Sequence, residues 1–141
     1  MKTPLSSSSI YVTKLDYHRL THLGREEHPV GRTARQVAAL MQELTRAQLV
    51  DSHDILPDVV TMNSRLKLRA LHSAEELHFT LVYPPDADQA RHRVSVLEPV
   101  GIAVLGCRLG DQLRLSHGTG AATYWVEDIL HQPEAAGDWV S

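Results

Sequence analysis

SHDILPDVVTMNSRLKLRA, residues 52–70, is where the chain changes its residue period. Upstream, between Arg35 and Leu49, the apolar residues Val37, Leu40, Met41, Leu44 and Ala47 recur three and four apart, which places them on one stripe of a helix. Downstream, Leu66, Leu68 and Ala70 alternate with Arg65, Lys67 and Arg69, the period-2 pattern of a strand with one buried face. Residues 51–57 between them are polar and end in Pro57, so they read as a linker. Helices followed by strands in separate blocks imply an α+β chain.

Working outward toward the N-terminus, residues 1–9 hold four consecutive serines and little to bury, and are expected to form a disordered tail. Ile10 and Val12 lead to Thr13, which can cap a helix, with Asp16 three residues on in a variant capping box. That helix is predicted over 14–23 and closed by Gly24. GREEHPVG, residues 24–31, supplies turn chemistry, and a second helix starts near Thr33. Leu20 and Leu23 give the first helix a stripe to match the second. Residues 10–50 therefore read as an antiparallel helical hairpin with arms of about 15 and 25 Å.

Toward the C-terminus, 59–62 is a β-branched run, and further strands are predicted over 77–83, 93–97, 112–116 and 122–130. Pro99 can occupy the first turn of a helix without losing a needed donor, so 99–105 reads as a short helix stopped by Gly106. HGTG, residues 117–120, fits a hairpin turn. Residues 58–141 are thus expected to form a mostly antiparallel sheet of about five strands with one short helix.

With 141 residues, 43% hydrophobic and 22% charged, the chain has the composition of a soluble domain large enough for a real core. A lone cysteine, Cys107, cannot form an internal bridge. No apolar run reaches the roughly 20 residues of a membrane helix, and the start lacks a secretory signal, so a cytoplasmic protein is expected. Net charge is −3, with seven basic and six acidic residues before position 58 and seven and eleven from there on. That balance argues against an independent nucleic-acid binder. No phosphate-binding glycine loop, metal motif or triad spacing occurs, which leaves a kinase or hydrolase, and any cofactor, without support.

Five blocks in order carry a resemblance: PDVVTMNSRLKL (57–68), LVYP (81–84), SVLEPVGIAVLG (95–106), LGDQL (109–113) and HQPEAAGD (131–138). Together they resemble the Rnk family, regulators of nucleoside diphosphate kinase related to the transcript-cleavage factors GreA and GreB. The resemblance implies a short N-terminal coiled coil joined to an FKBP-like C-terminal domain. It also implies that Leu97, Glu98, Pro99, Val100 and Gly101 stand where Gre factors grip a coiled coil at the rim of the RNA polymerase secondary channel. Leu97 and Glu98 depart from the polar pair that usually precedes the proline. In Gre factors the hairpin tip carries acidic residues that help a second magnesium ion bind for RNA cleavage. Here the tip is Arg25, Glu26, Glu27 and His28, where the two carboxylates are adjacent rather than spaced and do not face one way on a helical turn. The implied function is a non-enzymatic regulator that binds RNA polymerase, competes with Gre factors and does not stimulate cleavage, touching nucleic acid only through the polymerase. The alternatives are a module acting directly on nucleoside diphosphate kinase and a weak Gre-like cleavage factor.

Other residues have plainer readings. His18 and His22, four apart, could share a metal but lack a third ligand at metal-site spacing, and read as surface histidines. Cys107 reads as a small residue near the core. The stripe of Arg65, Lys67 and Arg69, with Arg91 and Arg93 nearby in sequence, reads as a charged solvent face, with an acidic protein surface or nucleic-acid phosphate on the polymerase as the other possibility. The FKBP-like resemblance also raises prolyl isomerase activity, whose pockets in that fold are lined by aromatics; this domain offers only Phe79, Tyr83, Tyr124, Trp125 and Trp139, several of which alternate along strands as packing residues do.

Overall fold

The computed structural model describes residues 10–26, 31–117 and 120–139. The expected tail, residues 1–9, lies outside them. The chain opens with strand β1 (Ile10–Thr13), passes through helices α1 (Lys14–Glu26) and α2 (Gly31–Leu44), and returns in β2 (Ala47–Val50), which pairs with β1 in parallel. Parallel neighbours need a long crossover connection, and the two helices, which pack against each other, provide it. After a single 3-10 turn at Ser52–Asp54 come β3 (Arg65–Ala70), β4 (Glu76–Val82), β5 (Arg93–Ser95), α3 (Pro99–Val104), β6 (Gln112–His117) and β7 (Gly120–His131). These strands form one sheet in the order β5-β4-β3-β7-β6, antiparallel except for the β4–β5 pair.

The change of period at residues 52–70 holds: β3 buries Leu66, Leu68 and Ala70 and turns Arg65, Lys67 and Arg69 the other way. Thr13 caps α1 as its position predicts, accepting the Asp16 backbone N–H at 3.0 Å. The 99–105 helix is present one residue shorter, with Pro99 at its start and Gly106 just beyond it at φ +76°.

Three local expectations are corrected. Gly24 does not end the first helix, which continues to Glu26; a helix-interior glycine costs only about 1 kcal/mol relative to alanine, less than the rest of the helix can supply. The second helix stops at Leu44, not Leu49. Thr45 and Arg46 turn the chain, their N–H groups bonding the Gln42 and Glu43 carbonyls, and Ala47–Val50 then takes up backbone pairing with β1 instead of extending the helical stripe. The run at 59–62 is not a strand: Val59 makes an isolated bridge to Arg108, and Val60 exchanges backbone bonds with Cys107 and Gly106 (2.8 and 2.9 Å). Turn positions 118 and 119 lie outside the described residues, but β6 and β7 pair up to His117 and Gly120 on either side of them.

Ile10 and Val12 of β1, Leu20 of α1 and Leu40 and Leu44 of α2 belong to the same buried cluster as Leu66, Leu68, Leu81, Val104 and Leu113. The base of the helical part is therefore built into the core of the sheet. Gly106 sits at this seam, where an added Cβ would lie 2.6 Å from the Ile10 Cβ and 3.1 Å from the Tyr11 carbonyl oxygen. Gly106→Ala adds both that collision and an L-residue at positive φ, and is expected to destabilise the fold by about 2 kcal/mol or more in denaturant unfolding. A midpoint unchanged from the wild type would contradict this account of the seam.

Candidate functional site

The residues singled out at 97–101 form the link from β5 into α3, and short-range bonds fix its shape. Ser95 accepts twice, its Oγ taking the Leu97 N–H and its carbonyl the Glu98 N–H, both at 3.0 Å. Pro99 then starts the helix with its φ already set and no donor to leave unpaired, and the Glu98 carbonyl accepts the Ile102 N–H at 2.9 Å. Gly101 is buried because α3 lies directly on the end of β5: an added Cβ would collide with the Ser95 carbonyl oxygen and sit 2.9 Å from the Val96 Cα. Pro99 is exposed, while Leu97, Glu98 and Val100 are half-buried.

This link is the ridge between two grooves. On one side, a groove of about 470 Å³ runs between α2 and α3, walled by Arg32, Arg35, Gln36 and Ala39 opposite Leu97, Pro99 and Ile102. On the other, a groove of about 450 Å³ is bordered by Asp88, Arg93, Val94, Glu98, Pro99 and Val100. Arg32 reaches across from α2 to Glu98 at 3.4 Å, tying the helical part to the link. The Arg32 side chain is well exposed and that of Glu98 nearly half exposed, so this pair contributes at most about 1 kcal/mol.

Of the four tip residues, Arg25 and Glu26 are the last two positions of α1, and Glu27 and His28 lie outside the described residues. At 13 and 14 residues the two helices are each about 20 Å long. The basic stripe on β3 is answered across the sheet: Arg69 bonds Glu127 (2.9 and 3.1 Å) and Glu76 (3.0 Å), Lys67 bonds Glu127 (3.3 Å), and Arg65 donates to His78. Arg69 and Lys67 in turn hold the Glu127 carboxyl below its usual range. Two of the three cations of the stripe are thus paired with carboxylates, which weakens its positive field. The His18 and His22 rings stack at 6.0 Å, and among the described residues no group of three metal-ligating side chains occurs. Cys107 is buried with its thiol donating to the Ala103 carbonyl. The aromatics diverge: the Tyr83 hydroxyl donates to Asp16, the Tyr124 hydroxyl to Glu75, and Trp139 stacks on His53. No helix among the described residues is long and apolar enough to cross a membrane.

One polar site was read from the sequence only as a helix cap. Asp16 is 2% exposed, and its carboxylate leaves α1 to accept the Met62 backbone N–H at 3.1 Å and the Tyr83 hydroxyl at 3.2 Å. A signal for this existed, since Asp16 lies four residues before the fully buried Leu20 and therefore on the same helix face. Beside it, Thr61 donates to Glu134 at 2.7 Å and meets Ser64 at 2.9 Å, shaping the loop that carries Met62. Burial is the main cause that pushes the Asp16 carboxyl up to about 6, with the Glu134 charge adding to it and the two hydrogen bonds and Arg19 opposing it.

Comparison with known proteins places both halves. Residues 8–50 match the family described as "Rnk N-terminus", and residues 55–131 match "Transcription elongation factor, GreA/GreB, C-term". The chain is 39% identical to the regulator of nucleoside diphosphate kinase of Escherichia coli strain K12 over 96% of this chain and 99% of that one. It is 28% identical to the transcription elongation factor GreA of Acetivibrio thermocellus over 67% of this chain and 59% of that protein. A solved GreA/GreB-type prokaryotic transcription elongation factor from Nitrosomonas europaea superposes with a TM-score of 0.72 at 36% identity, covering 89% of this chain and all of that one.

The Asp16 arrangement has a definite pH signature. The folded-state pKa, about 6, lies above the unfolded value of 3.8, so the folded protein takes up this proton first as pH falls. The stability contributed by the group is therefore present at low pH and lost as pH rises through about 6. Relative to Asp16→Asn, the wild type should gain about 1–1.5 kcal/mol in urea unfolding between pH 7 and pH 5. Parallel pH profiles for the two proteins would contradict the buried placement.

Proposed function

The chain belongs to the Rnk family, with a C-terminal part of the GreA/GreB type, and on that footing we propose that it regulates nucleoside diphosphate kinase through transcription. In this reading it binds RNA polymerase near the secondary channel through Leu97, Glu98, Pro99, Val100 and Gly101, and competes there with Gre factors. The observation that carries the reading is the presentation of that link. Pro99 is exposed at the crest between two grooves, on a helix start whose backbone is fixed by Ser95 and by the close approach of Gly101. A preset ridge of this kind suits docking against a partner helix, because little ordering cost remains at binding.

The same reading takes residues 10–50 as a short coiled coil, 51–57 as a linker and 58–141 as an FKBP-like unit, in a cytoplasmic protein that works without a cofactor and is not an enzyme. Its mechanism is steric occupation. Helices of about 20 Å occupy the channel mouth without delivering acidic groups to the catalytic metals. Glu26 and Glu27 then act as solvated charges rather than as magnesium ligands.

A second reading, direct action on nucleoside diphosphate kinase, is favoured by the name of the 39%-identical relative. Binding of the purified kinase in the absence of polymerase distinguishes it.

Under the leading reading, the wild type binds core RNA polymerase saturably, and Pro99→Ala combined with Val100→Asp weakens binding at least tenfold, with circular dichroism and the thermal midpoint checking the fold because Val100 also packs on the core. A stalled elongation complex incubated with the protein alone retains full-length RNA. Shortened transcripts would overturn the steric mechanism, and a double variant that binds as the wild type does would overturn the site.

A further inference from the structure

At the end of the sheet away from the 97–101 link, three segments meet around Thr123. β5 and the link that follows it lie beside Thr80–Val82 of β4, whereas this place adjoins the turn before Glu76, at the other end of that strand. Thr123 on β7 pairs directly with Arg114 on β6, so the hydroxyl and the stem of the guanidinium share one face of the sheet. On its other side the Thr123 carbonyl accepts the Leu71 N–H at 2.9 Å, which brings the turn residues His72 and Ser73 alongside. Arg114, Thr123, His72 and Ser73 line one cavity of about 390 Å³. Its remaining walls are Ala70, Ala121 and Ala122, whose short side chains leave the space open.

The polar lining consists of groups that can donate: a guanidinium, two hydroxyls and an imidazole. Among the described residues no carboxylate lines the cavity. The two carboxylates nearest to it in sequence are engaged elsewhere, Glu75 accepting the Tyr124 hydroxyl at 2.7 Å and Glu76 pairing with Arg69 at 3.0 Å. The Ser73 Oγ accepts the Glu75 N–H at 3.2 Å, which leaves its own proton to give.

We propose that this cavity binds a small phosphate ester of the sugar phosphate class, with the phosphate held by Arg114, Thr123 and Ser73 and the organic part set against the alanines. Phosphate follows from the donor set, because a planar guanidinium offers two parallel N–H groups to two of its oxygens and the hydroxyls serve a third. An ester rather than a bare anion follows from size, since the volume lies in the range of pockets that hold small organic ligands. Among the described residues the imidazole of His72 is the only ring in the lining, so a nucleotide base would lack an aromatic platform to stack on.

The inference is independent of the polymerase-binding reading and is tested on the full chain alone. Ribose 5-phosphate, ribose and orthophosphate are each titrated into the nitrogen-15-labelled protein at constant ionic strength, and the backbone amide shifts are followed. Arg114→Gln and Thr123→Val are measured beside the wild type. Arg114 is exposed and valine suits a strand, and circular dichroism checks the fold of both variants. The expected result is a saturable shift of the amides at 70–73, 114 and 121–123 by ribose 5-phosphate, with a Kd of about 1 mM or below. Ribose should give no saturable shift, and orthophosphate should bind more weakly than the ester. Arg114→Gln should lose about tenfold in affinity and Thr123→Val about fivefold. Shifts that stay linear in ribose 5-phosphate, or that saturate at residues elsewhere, overturn the site. A folded Arg114→Gln that binds as the wild type does overturns the phosphate assignment, and orthophosphate binding as tightly as the ester overturns the ester.

Discussion

A carboxylate taken almost wholly out of water joins the two parts of this chain. Asp16 sits one turn into α1, on the face that also buries Leu20, and it accepts one backbone donor from the loop before β3 and one hydroxyl from the end of β4. Removing a charge from water is costly unless donors replace the lost hydration, and Met62 and Tyr83 supply two. Those donors fix where the base of α1 can stand against the sheet, so an apolar contact alone need not specify the angle. The surrounding loop is held to the same end: Thr61 engages Ser64 and Glu134, and Ser64 in turn accepts the Leu81 N–H through its carbonyl at 2.9 Å. Burial of Ile10, Val12 and Leu20 provides the bulk of the attraction, and the polar contacts choose its geometry.

The 97–101 link inherits its position from this seam. α3 is only six residues long, too short to stand on its own propensity, and is set by Gly101 against Ser95 and by Gly106 against β1. α2 is set by Leu40 and Leu44 in the shared core. Because α2 and α3 both answer to the same buried cluster, the groove between them is a product of the seam.

Much of the fold was legible in the residues. The alternation at 65–70, the Thr13 cap, the Pro99 start and the Gly106 stop each rest on local chemistry that a single segment carries, and each is found in the structure. What could not be read depends on partners distant in sequence. Ala47–Val50 continues a helical stripe on paper, yet becomes a strand because Ile10–Thr13 offers it a backbone partner some 37 positions away. The β-branched run at 59–62 lacks such a full partner and stays irregular. Asp16 looked like half of a capping box, since nothing local reveals Met62 and Tyr83. The Arg32–Glu98 pair likewise joins residues 66 apart. The link itself was located through family resemblance, while its grooves follow from tertiary packing of α2 on α3.

In the proposed function, this chain occupies the site on RNA polymerase that Gre factors use. That occupancy is tested most directly by titrating a Gre factor into a preformed complex of labelled protein and core polymerase. The account predicts full displacement along a single competitive curve, with the bound label falling to zero as the Gre site saturates. A ternary complex in which both proteins stay bound would contradict it.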